Sequence, residues 1–342
     1  MERRFILFLP KGRSDAPLWL AFHGSHNTAK GFLSYSRLHL FTMQNGIGLL
    51  ALQGLPNKYD HMGWTQFNVG PHSQPSAQED EQGVHDLEVM REILEQVLQL
   101  PCIDKRRIHC TGYSNGARFC IRLASEMSDI IASVAVVSGL RYPKPNNAGR
   151  PIPILAFHGL QDHVNPFQGH GDDYWQSSVP EAFQSWAKFN QCGGAQMPPT
   201  FAMLGGDHAL AAYRGCQNDA TVELMRLDNA GHQWPNALYG HPGLGQVSSV
   251  DGNVLMRDFF SKHRLPEEYA AKSIFAVKRK LVTGSLEDHP PRPGRRLLGP
   301  RGRVAVAMLF VAALAFTTLW ALRRRSVDYH ELRGALIESQ EE

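Results

Sequence analysis

Residues 107–127 read RIHCTGYSNGARFCIRLASEM, and this stretch decides the fold. Residues 107–111 are predicted to form a short strand and residues 117–127 a helix. Between them, Gly112, Ser114 and Gly116 give the spacing G-x-S-x-G. Because glycine adopts backbone angles that other residues avoid, this spacing permits a strained turn that lifts the serine out of a sheet. The stretch therefore predicts a strand, a sharp turn with Ser114 at its apex, and a helix.

Apolar runs and amphipathic segments alternate along the rest of the chain. Strands are predicted at residues 4–10, 17–22, 46–54, 107–111, 131–138, 152–157 and 222–227, and helices at residues 84–98, 117–127, 179–189 and 255–260. Because parallel neighbouring strands need crossover connections, this alternation predicts an α/β fold with a doubly wound, mostly parallel sheet. Functional loops are then expected at the carboxyl ends of the strands.

Composition limits the domain count and the kind of partner. The chain has 342 residues with 43% hydrophobic content, enough for one large core, and we expect a single catalytic domain over residues 1–265. The formal net charge of +3 is small, so no nucleic-acid partner is expected. The apolar run within residues 1–13 is too short for a signal peptide and predicts a strand.

The C-terminal region has a different composition. Residues 266–303 are predicted to be a linker rich in Pro, Gly and Arg, and residues 323–342 a short polar tail. Residues 304–322, VAVAMLFVAALAFTTLWAL, carry no charge, and arginines flank them. As a helix they would extend about 28 Å, close to the hydrocarbon thickness of a bilayer at about 30 Å. We predict a single transmembrane helix here, with a buried core helix as the alternative; the flanking charge leaves its orientation open.

Three residues of the predicted strand-end loops can carry nucleophilic chemistry. A serine hydroxyl is a weak nucleophile near neutral pH, so it needs a base and a residue that orients the base. For a sheet with this serine turn, the expected chain order is Ser, then Asp or Glu, then His. We predict Ser114 as nucleophile, Asp162 as the orienting acid and His232 as general base. The alternatives are Asp172 and Asp173 for the acid, and His158, His163 and His208 for the base.

Attack on an ester carbonyl creates an oxyanion, which backbone N–H groups must meet at about 3 Å. The expected donors are the N–H of Asn115, directly after the nucleophile, and the N–H of Ser25, in the His23-Gly24-Ser25 segment that follows the strand at 17–22. Zinc-protease, EF-hand, Walker and dinucleotide-binding motifs do not occur in the sequence, so neither a metal nor a cofactor is predicted.

These motifs resemble those of the polyhydroxybutyrate depolymerase-like and feruloyl esterase-like serine esterases, relatives of the first carbohydrate esterase family in the α/β-hydrolase superfamily. The resemblance covers roughly residues 4–264. It rests on HGS at 23–25, GYSNGARFCIRLASE at 112–126, FHGLQDHVNPFQG at 157–169 and GHQWP at 231–235. The chain departs from the family pattern at Ala117, where members usually have a second glycine after the serine turn.

The resemblance implies an α/β-hydrolase fold and a disulfide between Cys192 and Cys216. It also implies hydrolysis of aryl, sugar-linked or polyester ester bonds through an acyl-enzyme. A serine exopeptidase on the same fold and a membrane-tethered, non-catalytic homologue are the alternatives. Trp64, Trp234 and Tyr113 are the candidate substrate contacts, Trp64 because it lies in a polar loop over residues 56–76; ordinary core packing is the alternative for each tryptophan.

Compartment follows from the predicted anchor and from the implied disulfide. Disulfides persist in oxidising spaces, so we expect a membrane protein with its catalytic domain in the secretory lumen or outside the cell. The cytosolic face is the alternative, since no signal peptide is predicted.

Overall fold

The computed structural model describes residues 3–56, 65–66, 86–171 and 174–269. The strands are β1 (Phe5–Phe8), β2 (Ala16–Phe22), β3 (Gly48–Leu52), β4 (Leu55–Pro56), β5 (Thr65–Gln66), β6 (Ile103–Tyr113), β7 (Ser133–Val137), β8 (Ile154–Gly159), β9 (Ala202–Met203), β10 (His208–Tyr213) and β11 (Val222–Leu227). The helices are α1 (Ala29–Ser36), α2 (Leu38–Gln44), α3 (Asp86–Val97), α4 (Asn115–Glu126), α5 (Val179–Phe189) and α6 (Gly252–Ser261). A 3₁₀ turn covers Gln217–Asp219.

Within these residues, one nine-stranded sheet has the order β1-β3-β2-β6-β7-β8-β11-β10-β9. The six central strands, from β3 to β11, pair in parallel. The edges are antiparallel, with β1 against β3 on one side and the β11, β10 and β9 meander on the other. The predicted mostly parallel α/β sheet is therefore confirmed.

The sheet is covered on both faces, as a doubly wound fold requires. Along β2, Leu18, Leu20 and Phe22 belong to the core that contains residues of α3, α4 and α5. Trp19 and Ala21, on the opposite face of the same strand, belong to the core that contains residues of α1, α2 and α6. The alternation follows from the two-residue period of a strand, whose successive side chains point to opposite faces.

The predicted elements fall close to their observed positions, and the differences have local causes. The helix predicted at 117–127 begins at Asn115, because the turn at Ser114 passes into it directly. The strand predicted at 107–111 extends over Ile103–Tyr113, since β2 pairs with it as far back as Ile103. Helices α1 and α2 and the antiparallel strand β10 were not predicted.

The predicted linker, transmembrane helix and polar tail lie outside the described residues, apart from residues 266–269. In the part of the chain that the structure describes, no helix has the length and apolar character needed to cross a bilayer.

Candidate active site

Ser114 lies at the apex of the turn between β6 and α4. Its φ and ψ are 55° and −116°, a strained combination for a residue with a side chain. The two glycines allow it: a Cβ on Gly112 would lie 2.5 Å from the carbonyl oxygen of Gly116, and one on Gly116 would lie 2.2 Å from that of Phe22. The amide of Ser114 donates to the carbonyl of Val137 at 2.9 Å, which ties the turn to the end of β7.

Ala117 directly follows the serine turn, and a glycine on the neighbouring loop accommodates its side chain. A Cβ on Gly139 would lie only 2.4 Å from the Cβ of Ala117 and 2.6 Å from the carbonyl oxygen of Ser114. Ala117 is fully buried. The loop after β7 therefore supplies the space that the alanine methyl group needs.

Asp162 and His232 meet in the interior. Asp162 follows β8, His232 follows β11, and β8 and β11 are parallel neighbours, so their carboxyl ends lie side by side. His232 Nδ1 lies 2.7 Å from Asp162 Oδ2, and the two residues are 4% and 2% exposed. This short, buried contact is the one that holds an imidazole in a fixed tautomer with its Nε2 available.

The Asp162 carboxylate accepts several hydrogen bonds at once. Its Oδ1 accepts from the backbone amides of Val164 at 3.0 Å and Asn165 at 2.8 Å. Burial raises the pKa of Asp162, but the hydrogen bond and the charge interaction with His232, with help from His158 and the Asn165 amide, outweigh burial and leave the pKa below its ordinary value. The carboxylate is therefore an anion at neutral pH.

Tyr113 connects the serine turn to the histidine loop. Its hydroxyl donates to the backbone carbonyl of His232 at 2.5 Å, and its ring centroid lies 5.0 Å from that of the imidazole. Burial raises the pKa of Tyr113 well above its usual range, so the phenol stays a donor. Within the described residues, no hydrogen bond joins Ser114 Oγ to His232 Nε2.

Hydrogen bonds that join Tyr35 and Asn253 to the residues after His232 hold the histidine loop in place. The Tyr35 hydroxyl donates to Gln233 Oε1 at 2.6 Å and accepts from the Trp234 amide at 2.8 Å. The indole N–H of Trp234 donates to Asn253 Oδ1 at 3.1 Å. These contacts join α1, α6 and the loop after β11, segments that are far apart in the sequence.

The His23-Gly24-Ser25 segment lies against the nucleophile. A Cβ on Gly24 would lie 3.2 Å from the Cβ of Ser114, a tighter contact than most Cβ atoms make, which glycine avoids. His23 Nδ1 lies 2.7 Å from the carbonyl oxygen of Gly24, to which it donates, and His23 Nε2 accepts from the Gly54 amide at 2.9 Å. Burial lowers the pKa of His23 to about 4, so the ring stays neutral and holds this loop.

The two residues predicted to supply the oxyanion N–H groups lie at the start of α4 and directly after Gly24. Asn115 is the first residue of α4, where backbone N–H groups precede the regular hydrogen bonding of a helix and the helix dipole favours negative charge. Ser25 is half-buried and follows the glycine that contacts the nucleophile.

The candidate substrate contacts have different outcomes. Trp64 lies outside the described residues. Trp234 is fully buried, with its ring edge-on to Phe32 at 5.2 Å and its N–H satisfied, so its prediction as a substrate contact is corrected to a core role. Tyr113 is 5% exposed and its hydroxyl is occupied, which makes it a link between loops rather than a contact surface.

The alternative acids and bases are also accounted for. Asp172 and Asp173 lie outside the described residues. His163 is exposed, and His208 opens β10 beside Asp207. His158 is fully buried and lies 3.4 Å from Asp162 Oδ2 through its Nε2, a contact that sequence reasoning did not foresee. No group of three or more potential metal ligands forms within the part of the chain that the structure describes.

Two disulfides occur in the described residues. Cys192 and Cys216 are bonded, which agrees with the pairing that the resemblance implies. Cys110 in β6 and Cys120 in α4 are also bonded and bracket the serine turn. The second pair was missed, although both cysteines occur within the stretch that decides the fold. Cys102 is a free thiol.

Curated proteins with sequences similar to this chain include esterases. No protein-family model matches the chain. Feruloyl esterase B of Piromyces equi is 25% identical over 67% of this chain, and the match spans 42% of that protein's length. A Nocardia uniformis protein described as the esterase NocK is 29% identical over 68% of both chains. The chain is a relative of the feruloyl esterase-like esterases.

A solved esterase structure has a fold similar to that of this chain. Acetyl xylan esterase from Aspergillus awamori superimposes with a TM-score of 0.50 at 13% identity, covering 75% of this chain and 93% of that one. At this identity the match concerns the fold alone. The match agrees with the mostly parallel α/β sheet of the described residues.

Proposed function

We propose that this chain is a serine esterase that hydrolyses carboxylic esters through an acyl-enzyme, with Ser114 as nucleophile. The observation that carries the proposal is the buried 2.7 Å contact between His232 and Asp162, on a loop that Tyr113 fastens to the serine turn. The similarity to curated esterases supports the same reaction.

In the proposed first step, His232 Nε2 takes the hydroxyl proton of Ser114 as Oγ forms a bond to the ester carbonyl carbon. The carbonyl π electrons move to oxygen, and the N–H groups of Ser25 and Asn115 stabilise that oxyanion. The Asp162 carboxylate stabilises the imidazolium that forms. Because catalytic hydrogen bonds often tighten only around bound substrate, the contact between Ser114 Oγ and His232 is expected to form in that complex.

Collapse of the oxyanion breaks the bond to the alcohol, which leaves with the proton from His232. Water then gives a proton to His232 and attacks the acyl-enzyme, and a second collapse returns the proton to Ser114 Oγ and releases the acid. Every group in this cycle belongs to the protein or to the substrate, so the proposal needs no cofactor.

The direct test is pre-steady-state release of p-nitrophenol from p-nitrophenyl acetate. The wild-type protein should give a burst close to one equivalent per chain, and Ser114→Ala should abolish it and lower kcat by at least about 10⁴-fold. Ser185→Ala is the matched control, since that hydroxyl donates to the Glu181 carbonyl on α5 and takes no part in the site. Full turnover by the Ser114→Ala variant would refute the assignment.

Feruloyl-type aryl esters are the substrate class that we propose, because the similar proteins include enzymes named feruloyl esterases. Hydroxybutyrate oligomers and aminoacyl anilides represent the polyester and exopeptidase alternatives. Comparison of kcat/KM for methyl ferulate, a hydroxybutyrate trimer and an alanyl anilide separates these classes. A protein that binds none of them productively and does not react with a fluorophosphonate probe would be the non-catalytic homologue.

We further propose that residues 304–322 anchor the protein in a membrane, with the catalytic domain in an oxidising compartment. The uncharged apolar stretch supports the anchor, and the two disulfides support the compartment. The full chain should remain in the pellet after carbonate extraction of membranes, whereas a chain ending at residue 303 should be released. Release of both chains would contradict the anchor.

A further inference from the structure

Two histidines contact one oxygen of Asp162. His232 Nδ1 lies 2.7 Å from Asp162 Oδ2, and His158 Nε2 lies 3.4 Å from the same atom. His158 is four residues before Asp162, at the end of β8, and it is 1% exposed. The mechanism proposed above uses His232 and leaves His158 without a role.

The hydrogen bonds of His158 define its tautomer. Its Nε2 lies 2.8 Å from the backbone carbonyl oxygen of Asn165, which can only accept, so Nε2 carries the proton. Its Nδ1 is buried and has no hydrogen-bond partner among the described residues. A second proton on Nδ1 would be buried without an acceptor, which favours the neutral ring.

The surroundings of the ring have the same effect. The imidazole stacks on Trp175 with centroids 5.8 Å apart and 25° between planes, and Phe167 meets it edge-on at 5.8 Å. Burial lowers the pKa of His158, against the opposing effect of Asp162. The side chain therefore presents a neutral N–H dipole, and not a positive charge, to the carboxylate.

We propose that His158 is a positioning residue that shares Asp162 Oδ2 with His232 and limits how strongly this carboxylate acts on the catalytic base. This inference rests on the proposed esterase mechanism, because it assigns His158 a role through Asp162.

The geometry gives His158 two effects. Its Nε2–H is donated to the Asn165 carbonyl, and Nε2 contacts Oδ2 at 3.4 Å; this close contact, with the Val164 and Asn165 amides on Oδ1, leaves the carboxylate few alternative orientations, so Oδ2 stays directed at His232. The positive end of its N–H dipole, near Oδ2, also stabilises the anion, which makes Oδ2 a weaker acceptor for the His232 Nδ1 proton than it would be alone. Among the described residues, the titratable groups that face this carboxylate and His232 are His158 and Tyr113.

Two substitutions separate this role from a structural one. An apolar side chain of similar volume should fit the cage of Trp175 and Phe167, but it leaves the buried Asn165 carbonyl without its donor, so a moderate loss of stability is expected. His158→Met removes both nitrogens, whereas His158→Gln keeps an N–H donor near the position of Nε2. The pair therefore separates the donated hydrogen bond from the packing of the ring.

The experiment compares wild type, His158→Met and His158→Gln by thermal unfolding, by kcat and KM for p-nitrophenyl acetate across pH, and by the proton NMR resonance of His232 Nδ1–H. In His158→Met we expect a lower unfolding midpoint in a protein that is still fully folded at the assay temperature, at least tenfold lower kcat, and KM within about twofold. The acid limb of the pH profile of kcat/KM for this variant should move to higher pH by about half a unit. Its Nδ1–H resonance should move downfield, and His158→Gln should restore the wild-type kcat within about threefold.

Two results would overturn the proposal. One is a His158→Met variant with wild-type kcat, acid limb and Nδ1–H resonance. The other is a loss of activity in both variants that matches a loss of folded protein, which would make His158 a structural residue only. The resonance does not depend on turnover, so it tests His158 even if wild-type activity proves independent of Ser114. That independence would refute the esterase proposal by itself.

Discussion

Lowering the pH from 7 to 5.5 is expected to destabilise the folded chain, because His158 and three further histidines are buried in their neutral form. Burial lowers the pKa of His23 to about 4, that of His109 to about 3 and that of His263 to about 4. All three are less than a tenth exposed. In the unfolded chain each regains an ordinary pKa of about 6.5, so below that pH the unfolded state binds more protons than the folded state.

The sign and the size follow from this difference. For a base with a lowered folded pKa, stability is fully present above the unfolded pKa and is lost as the pH falls below it. Between pH 7 and 5.5, protonation of the unfolded form favours unfolding by about 1.3 kcal/mol for each histidine, or about 4 kcal/mol for the three. Asp104 and Asp162 have lowered pKa values, so they stay ionised at pH 5.5 and do not contribute.

His109→Asn isolates the contribution of one histidine. The His109 ring stacks on Phe260 with centroids 4.6 Å apart, and its Nδ1 lies 2.8 Å from Ser133 Oγ; the asparagine amide occupies the place of Nδ1 and keeps a polar group beside that hydroxyl. Urea unfolding at pH 7 and 5.5 measures the free energy of unfolding for both proteins. The variant should lose about 1.3 kcal/mol less than the wild type over this interval. Equal losses in the two proteins, or a wild-type loss below about 1 kcal/mol, would refute the reasoning.

Two further predictions use matched pairs. Gly116→Ala should abolish soluble folded protein, because the added Cβ would lie 2.2 Å from a backbone oxygen of β2. In the control, Gly149→Ala, the added Cβ would lie 3.8 Å from its nearest neighbour. The control should therefore change the free energy of unfolding by less than about 0.5 kcal/mol. Tyr113→Phe leaves the backbone carbonyl of His232 without its hydrogen-bond donor and should lower kcat/KM about tenfold. The control, Tyr213→Phe, loses a hydrogen bond to a backbone carbonyl outside the site and should lower only the unfolding midpoint. Similar activity in the two tyrosine variants would contradict the role of Tyr113.

Much of the sheet and the candidate triad could be predicted because local patterns determine them. The spacing around Ser114 requires particular backbone angles, and two glycines with no room for a Cβ provide them. Asp162 and His232 could be chosen by their place after two apolar runs, since those runs become the parallel neighbours β8 and β11. In each case a short segment carries both the strand and the functional residue.

The elements and residue roles that the sequence did not predict depend on contacts between segments that share no local pattern. Helices α1 and α2 are short, and their place follows from contacts such as that of Tyr35 with Gln233, 198 residues away. The bond between Cys110 and Cys120 depends on how closely α4 packs on β6, which spacing alone does not determine. Trp234 seemed available as a substrate contact because sequence cannot distinguish an aromatic at a site from one beneath it.

His158 shows where sequence reasoning reaches its limit in a functional site. In the sequence it was an alternative base, one of several histidines close to Asp162. In the structure its Nε2 proton is donated to the Asn165 carbonyl, and its Nδ1 is buried without a hydrogen-bond partner among the described residues, so neither nitrogen is joined to Ser114. Both histidines face the same carboxylate oxygen, and only the hydrogen bonds of each ring distinguish the base from the residue that supports it. Assignment of roles within a cluster of like residues therefore depends on which nitrogen has an acceptor, a property that no spacing in the sequence records.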